Sequence, residues 1–259
     1  MNRPNRLTGR ATDRKAIGQK EGMRMAAKEE FLQRLANKLG RERMYEAPRP
    51  RWDTQPWDHL HKDLDQAGLV AQFADELMKL GGVVIPVANG KLLPKAVNAY
   101  LTEAEFKKLI VWPAGEELDG GEPADVFAEQ GYEVTRWSAA GDRDSLVRAA
   151  ESAHAGLVYA AHGISETGSI VLYNRGDRGR VVSLLPNQLL VAVRGSTVVP
   201  RITQVLAGLP GRALDYSCVN IITGPSRTSD IEMDLTIGVH GPGRIAVFLI
   251  EDHLAEEPH

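Results

Sequence analysis

The sequence predicts an α/β fold, an open and mostly parallel sheet covered by helices. Three observations carry this. Short runs such as VVIPV, LIVW and RIAVFLI are almost wholly apolar, as strands buried on both faces of a parallel sheet must be. The runs alternate with segments that read as helices or turns, an order that favours a sheet covered on both sides. No repeat period and no low-complexity tract competes with that reading.

The elements follow in chain order. Residues 1–20 carry Arg3, Arg6, Arg10, Arg14, Lys15 and Lys20 against Asp13 alone, and read as a solvated basic tail that could also meet an acidic partner. Met23, Ala27, Phe31, Leu35 and Leu39 recur at helical spacing, with Gly40 as the stop. The link Ala47–Trp57 (APRPRWDTQPW) cannot continue that helix, because proline lacks the amide donor a helix interior needs. A second helix is marked by Leu60, Leu64, Ala67, Ala71, Ala74 and Met78, closing at Gly81-Gly82. The expected organisation is therefore a basic tail and helical arm over residues 1–55 and an α/β domain over residues 56–259. Candidate strands are Val83–Val87, Leu109–Trp112, Tyr132–Trp137, Ala155–Ala161, Ser169–Tyr173, Leu189–Val193, Tyr216–Ile222 and Arg244–Ile250, expected to form one sheet. Asp142–Ser152 and Pro200–Leu209 read as helices between them.

Composition narrows the function. A net charge of −3 with 25% charged residues gives no general pull toward nucleic acid or a membrane surface. No apolar run approaches the roughly 20 residues that span a bilayer, and the N-terminus lacks a signal-peptide core, so a cytoplasmic location is expected. Cys218 is the one cysteine, so neither an internal disulfide nor a conventional cysteine-ligated iron–sulfur cluster fits in this chain. Within YSCVNII it reads as a small buried hydrophobe. If the biology is redox, another subunit must carry the electrons. Phosphate-loop, dinucleotide-fold and G-x-S-x-G signatures are absent, and Gly238, Gly241 and Gly243 around His240 have the wrong pattern for a dinucleotide fingerprint. His59 and His61 form an H-x-H pair with nothing nearby to complete a metal set, so no metal is expected.

Three loops remain as carriers of chemistry. In HGISETGSI (His162–Ile170), Glu166 and Thr167 sit in a turn that Gly163 and Gly168 permit; a carboxylate at a strand end either binds something or caps neighbouring amides. In SLLPNQLLVAV (Ser183–Val193), Pro186 breaks the chain, and Asn187 and Gln188 offer amide groups that turn chemistry also explains. The third and richest runs from Thr223 to Gly243. There Ser229 and Glu232 have capping-box spacing, which predicts a short helix whose N-terminal amides face the Gly224–Ser229 loop. Such an end attracts a phosphate or carboxylate, and Arg227 adds a two-pronged donor for it. Ser226, Thr228 and Ser229 then serve either the anion or the cap, and Arg227 either the anion or an ion pair with Asp230 or Glu232. His240, between glycines, suits proton transfer or a buried structural hydrogen bond.

At these residues the chain resembles the LUD-domain family, named for lactate utilisation, and within it the lactate-utilisation protein C group. The matching text is ETGSIVL (Glu166–Leu172), Leu185-Pro186 before an apolar strand, GPSRTSDIE (Gly224–Glu232) and GVHGPG (Gly238–Gly243). The resemblance covers about residues 155–251 closely and reaches back more loosely to about residue 60. It implies an open three-layer α/β/α fold of the ribose-phosphate isomerase and CoA-transferase type. It also implies a part in oxidising L-lactate to pyruvate beside two companion proteins that carry iron–sulfur clusters, with no cofactor in this chain. Two readings follow. One is a non-redox component of a lactate-oxidising assembly, binding a small anion through Thr167, Gly168, Asn187, Gly224, Ser226, Arg227, Thr228 and Ser229. The other is a stand-alone enzyme for an acyl-CoA or phosphorylated molecule, with Glu166, Asp230, Glu232 and His240 as proton-transfer candidates.

Overall fold

A computed structural model describes residues 26–42, 63–115, 122–209, 215–228, 236–238 and 241–252. The expected basic tail, the proline link, His59 and His61 lie outside the described residues. The chain divides into two units, Met1–Asp58 and His59–His259. In the first, helix α1 spans residues 26–38 and ends before Gly40, whose φ of 63° closes it.

The second unit opens with α2 (Gln66–Lys79). Asp65 caps it by accepting from the Gly68 amide at 2.7 Å, so the helix starts later than Leu64. Leu69, Val70, Phe73 and Leu77 form its buried stripe. Six strands follow in one sheet: β1 (Val83–Val87), β2 (Lys108–Val111), β3 (Glu133–Arg136), β4 (Ala155–Tyr159), β7 (Gln188–Arg194) and β12 (Arg244–Ile250). Their order is β1-β12-β7-β4-β2-β3 and every pairing is parallel. The flanking helices include α3 (Leu93–Glu103), α4 (Pro123–Glu129), α5 (Arg143–Ser152) and α6 (Val181–Leu184). Burial follows position. All of β4 is buried, as is β12 beyond Arg244, while the edge strands β1 and β3 are mostly exposed or half-buried. Gly156 lets α6 lie directly on β4, since a Cβ there would fall 2.0 Å from the Val182 carbonyl oxygen.

The expectation of a single sheet is not met. A second, four-stranded sheet has the order β8-β5-β6-β9, from β8 (Val198–Val199), β5 (His162–Ile164), β6 (Ser169–Asn174) and β9 (Cys218–Ile222). The reason lies in loop length. Only the turn Ser165–Gly168 separates β5 from β6, and a parallel crossover needs a dozen residues or more, so the pair must be antiparallel. β6 then pairs antiparallel with β9, which is exposed or half-buried along its length. Cys218 is accordingly half-buried, with its thiol 3.2 Å from Asn220 Oδ1, rather than a core residue. Helix α7 (Ile202–Ala207) follows β8, and a hairpin pairs β10 (Arg227–Thr228) with β11 (Thr236–Ile237).

At the carboxyl ends of β7 and β12 a single carboxylate ties the two strands together. Asp252 accepts from Arg194 Nη1 at 3.0 Å, from the Ser196 amide at 2.9 Å and from the Ser196 hydroxyl at 2.6 Å. Burial alone would raise its pKa. The Ser196 and Arg194 donors outweigh that and hold the carboxyl below its ordinary value.

Candidate functional site

The loops read from sequence gather at one edge of the main sheet. Pro186 and Asn187 precede β7 and Gly241, Pro242 and Gly243 precede β12, so both lie where these parallel strands begin. That is the amino edge, opposite the carboxyl edge at which ligands of doubly wound sheets usually collect. α2 also ends there, because Leu80, Gly81 and Gly82 lead directly into β1.

Hydrogen bonds join the second and third loops. Asn187 Oδ1 accepts from the Gly243 amide at 3.3 Å, and its backbone carbonyl accepts from the Arg244 amide at 3.1 Å. The Ser226 amide donates to Pro242 at 2.9 Å, and the Ser226 carbonyl accepts from Gly238 at 3.0 Å. The expectation that this loop offers its amides freely is therefore corrected at Ser226, whose N–H is already spent. Thr228 pairs with Thr236 in the hairpin. Ser229, Asp230, Glu232 and His240 lie outside the described residues, and with them the capping box.

The first loop meets the third against the end of α2. Gly168 has φ 61°, and a Cβ there would stand 2.4 Å from the Leu77 amide nitrogen, so no larger residue fits between turn and helix. A row of hydroxyls links the loops: Thr167 Oγ1 lies 2.6 Å from Ser169 Oγ, which lies 2.7 Å from Thr223 Oγ1. Gly224 is buried against Leu80 with φ 74°. Arg227 donates from Nη2 to the Leu80 carbonyl at the C-terminal end of α2, where a cation is favoured by the helix dipole. Arg227 is otherwise exposed.

Glu166 points elsewhere. Its Oε1 lies 3.0 Å from Arg201 Nη2, and its amide donates to Pro200 at 3.1 Å, so the carboxylate is engaged at the mouth of α7. Arg201, Leu80, Ser169 and Thr223 are the contacts that sequence reading misses. Arg201 had one available signal, its place directly after Pro200 at a helix entry. The Leu80 contact uses a backbone carbonyl and has none. Chemically, the joined loops offer a guanidinium held at one nitrogen and, separately, a row of hydroxyls. That suits a small anion better than a metal, and among the described residues no three His, Cys, Asp or Glu side chains gather as a metal site would need.

Comparison with known proteins places this geometry in a family. The LUD domain model matches residues 70–250. "Lactate utilization protein C 1" of Bacillus mycoides is 32% identical over 89% of this chain and 99% of its own length. "Lactate utilization protein C" of Bacillus licheniformis is 33% identical over 87% of this chain and 96% of its own, and that of Halalkalibacterium halodurans 34% over 87% and 98%. A crystal structure of a DUF162 family protein from Deinococcus radiodurans superposes with a TM-score of 0.54 at 24% identity, covering 73% of this chain and 99% of that one, which supports the fold. No helix among the described residues is long and apolar enough to cross a membrane. Since the family model spans both sheets and the loops between them, and the relatives align over nearly their whole length, this chain belongs to the LUD-domain family.

Proposed function

We propose that this chain works in L-lactate utilisation, as the component without redox centres in a cytoplasmic assembly that oxidises L-lactate to pyruvate. Two electrons and two protons leave the substrate in that reaction. With a single cysteine here, the electrons pass to iron–sulfur proteins that accompany this chain. Its own task is to hold a small carboxylate at the amino-edge loops, through Arg227 and the neighbouring Thr167, Gly168, Asn187, Gly224, Ser226, Thr228 and Ser229. Asp230, Glu232 and His240 complete the same segment as proton-transfer candidates. Glu166, engaged with Arg201, serves the frame of the site.

The observation that carries this reading is the near full-length match to proteins named for lactate utilisation. The joined loops and the held Arg227 guanidinium support a seat for the carboxylate. The test is genetic. Deleting this chain from its host should abolish growth on L-lactate as sole carbon source while sparing growth on pyruvate, and the wild-type chain should restore it. Unimpaired growth on L-lactate would sink the proposal. Turnover of an acyl-CoA or phosphorylated compound by the purified chain alone would replace it with the stand-alone enzyme.

A further inference from the structure

A second concavity lies at the opposite edge of the main sheet, distinct from the amino-edge loops. Trp137 directly follows β3, so the cleft opens at the carboxyl edge, between the start of α5 and the segment that joins β6 to α6. Its volume of about 480 Å³ falls in the range of small-molecule sites. The floor is apolar, formed by Trp137, Leu146 and Val181, and the rim carries Arg143, Arg175 and Arg180.

The floor is built to stay in place. Trp137 Nε1 donates to the Gly176 carbonyl at 3.0 Å, and a Cβ on Gly179 would fall 2.0 Å from the indole, so ring and turn are pressed together. The rim charges are less easily explained by the fold. Arg175 shares Asp177 at 2.8 Å, whereas neither Arg143 nor Arg180 is engaged by a side-chain hydrogen bond or ion pair among the described residues. Of the acids nearest Arg143, Asp142 is occupied in capping α5 through the Ser145 amide at 2.9 Å, which leaves Asp144. Among the described residues Arg143 and Arg180 lack an acid partner, beside an Arg175 that Asp177 answers. This leaves the rim with an excess of positive charge, in a chain whose net charge is −3, that a bound anion would offset.

We infer that this cleft binds a small phosphate ester, its phosphates held by the arginine rim and its ring or other apolar body resting on Trp137. Arginine favours phosphate through paired N–H donors, and a phosphate charge of about −2 answers the two guanidinium groups that lack an acid partner there. A lone small carboxylate would leave the apolar floor uncovered. The site carries this expectation independently of the lactate reading.

ADP and inorganic pyrophosphate are suitable probes, titrated calorimetrically into the full chain at low salt. ADP should bind, and at least about tenfold more tightly than pyrophosphate, which has no body to cover the floor. The pair Arg143→Ala and Arg180→Ala should weaken ADP at least about tenfold while leaving the melting temperature unchanged, since both residues are exposed. Should that double variant melt early, Arg180→Lys, which keeps the charge and loses the fork, must still weaken ADP several-fold. No ADP binding up to about 1 mM overturns the inference, as does ADP affinity unchanged by these substitutions, or pyrophosphate binding as tightly as ADP.

Discussion

Arg227 is fixed at one nitrogen and open at the others, and the two halves of that description make separable predictions. Arg227→Ala should weaken binding of L-lactate or pyruvate on the order of tenfold to a hundredfold, the worth of one charge-assisted contact of about 1.5–3 kcal/mol. It should also cost about 0.3–1 kcal/mol of stability, because a cation leaves the C-terminal end of α2. Arg227→Lys should restore most of the stability and little of the affinity. Calorimetry beside thermal melting separates these; lost stability with unchanged affinity would make Arg227 a helix-end contact and nothing more. Glu166 makes the opposite case. Its partner Arg201 is mostly buried, so a double-mutant cycle on Glu166→Gln and Arg201→Gln should return a coupling of about 0.5–3 kcal/mol in unfolding free energy. A coupling near zero would release Glu166 for chemistry.

At the scale of elements, the turn that folds β5 back onto β6 is locked to α2 by one atom's absence. Gly168→Ala would force an unfavourable φ and drive a methyl group into the Leu77 backbone, which cannot yield as a side chain can. The expected loss is about 1–3 kcal/mol by chemical denaturation, with the Thr167–Ser169–Thr223 row displaced as well. A variant as stable as wild type would show that turn and helix do not press together. This turn also shows what sequence could and could not tell. Val83–Val87 and Arg244–Ile250 were legible to the residue, because wholly apolar runs bounded by glycine, proline or charge leave few alternatives. The second sheet was legible in principle, from the short spacing between β5 and β6. Helix α3 was within reach too: Leu93, Val97 and Leu101 repeat at helical spacing, and Pro94 stands in the first turn, where proline starts helices rather than breaking them. The loops of the candidate site announced themselves by composition. Their edge of the sheet did not, since it depends on which strand each loop precedes. Arg143, Arg175 and Arg180 gave no signal at all, because tertiary packing alone collects them around one cleft.

For the whole molecule, Asp252 links stability to pH. Its carboxyl titrates below the ordinary value of 3.8, despite the opposing effect of burial, because Ser196 and Arg194 donate to the ionised form. A depressed pKa of this sign adds stability above the unfolded-state value, and that stability fades as pH falls through the lower folded-state value. Asp252→Asn should therefore lower stability by about 1–3 kcal/mol at neutral pH. The difference in melting temperature between variant and wild type should hold from neutral pH down to the ordinary carboxylate value and narrow only below it, as pH falls toward the lower folded-state value. A gap that persists undiminished at the acid end would assign the loss to packing instead of charge.

The place of β12 within the main sheet has a consequence for how this protein is made. The last strand of the sheet in sequence lies between β1 and β7, pairing Val83–Val87 on one side and Gln188–Arg194 on the other. Until Arg244–Ile250 has left the ribosome, β1 has no partner in this sheet and β7 presents a bare apolar edge. Folding of this sheet therefore cannot finish before this strand emerges, however early its other strands assemble. A nascent chain halted before Arg244 should be cut readily by protease and captured by chaperones, whereas emergence of Arg244–Ile250 should bring protection in a single late step. Gradual protection, strand by strand as the chain emerges, would mean that β1 finds shelter before β12 arrives.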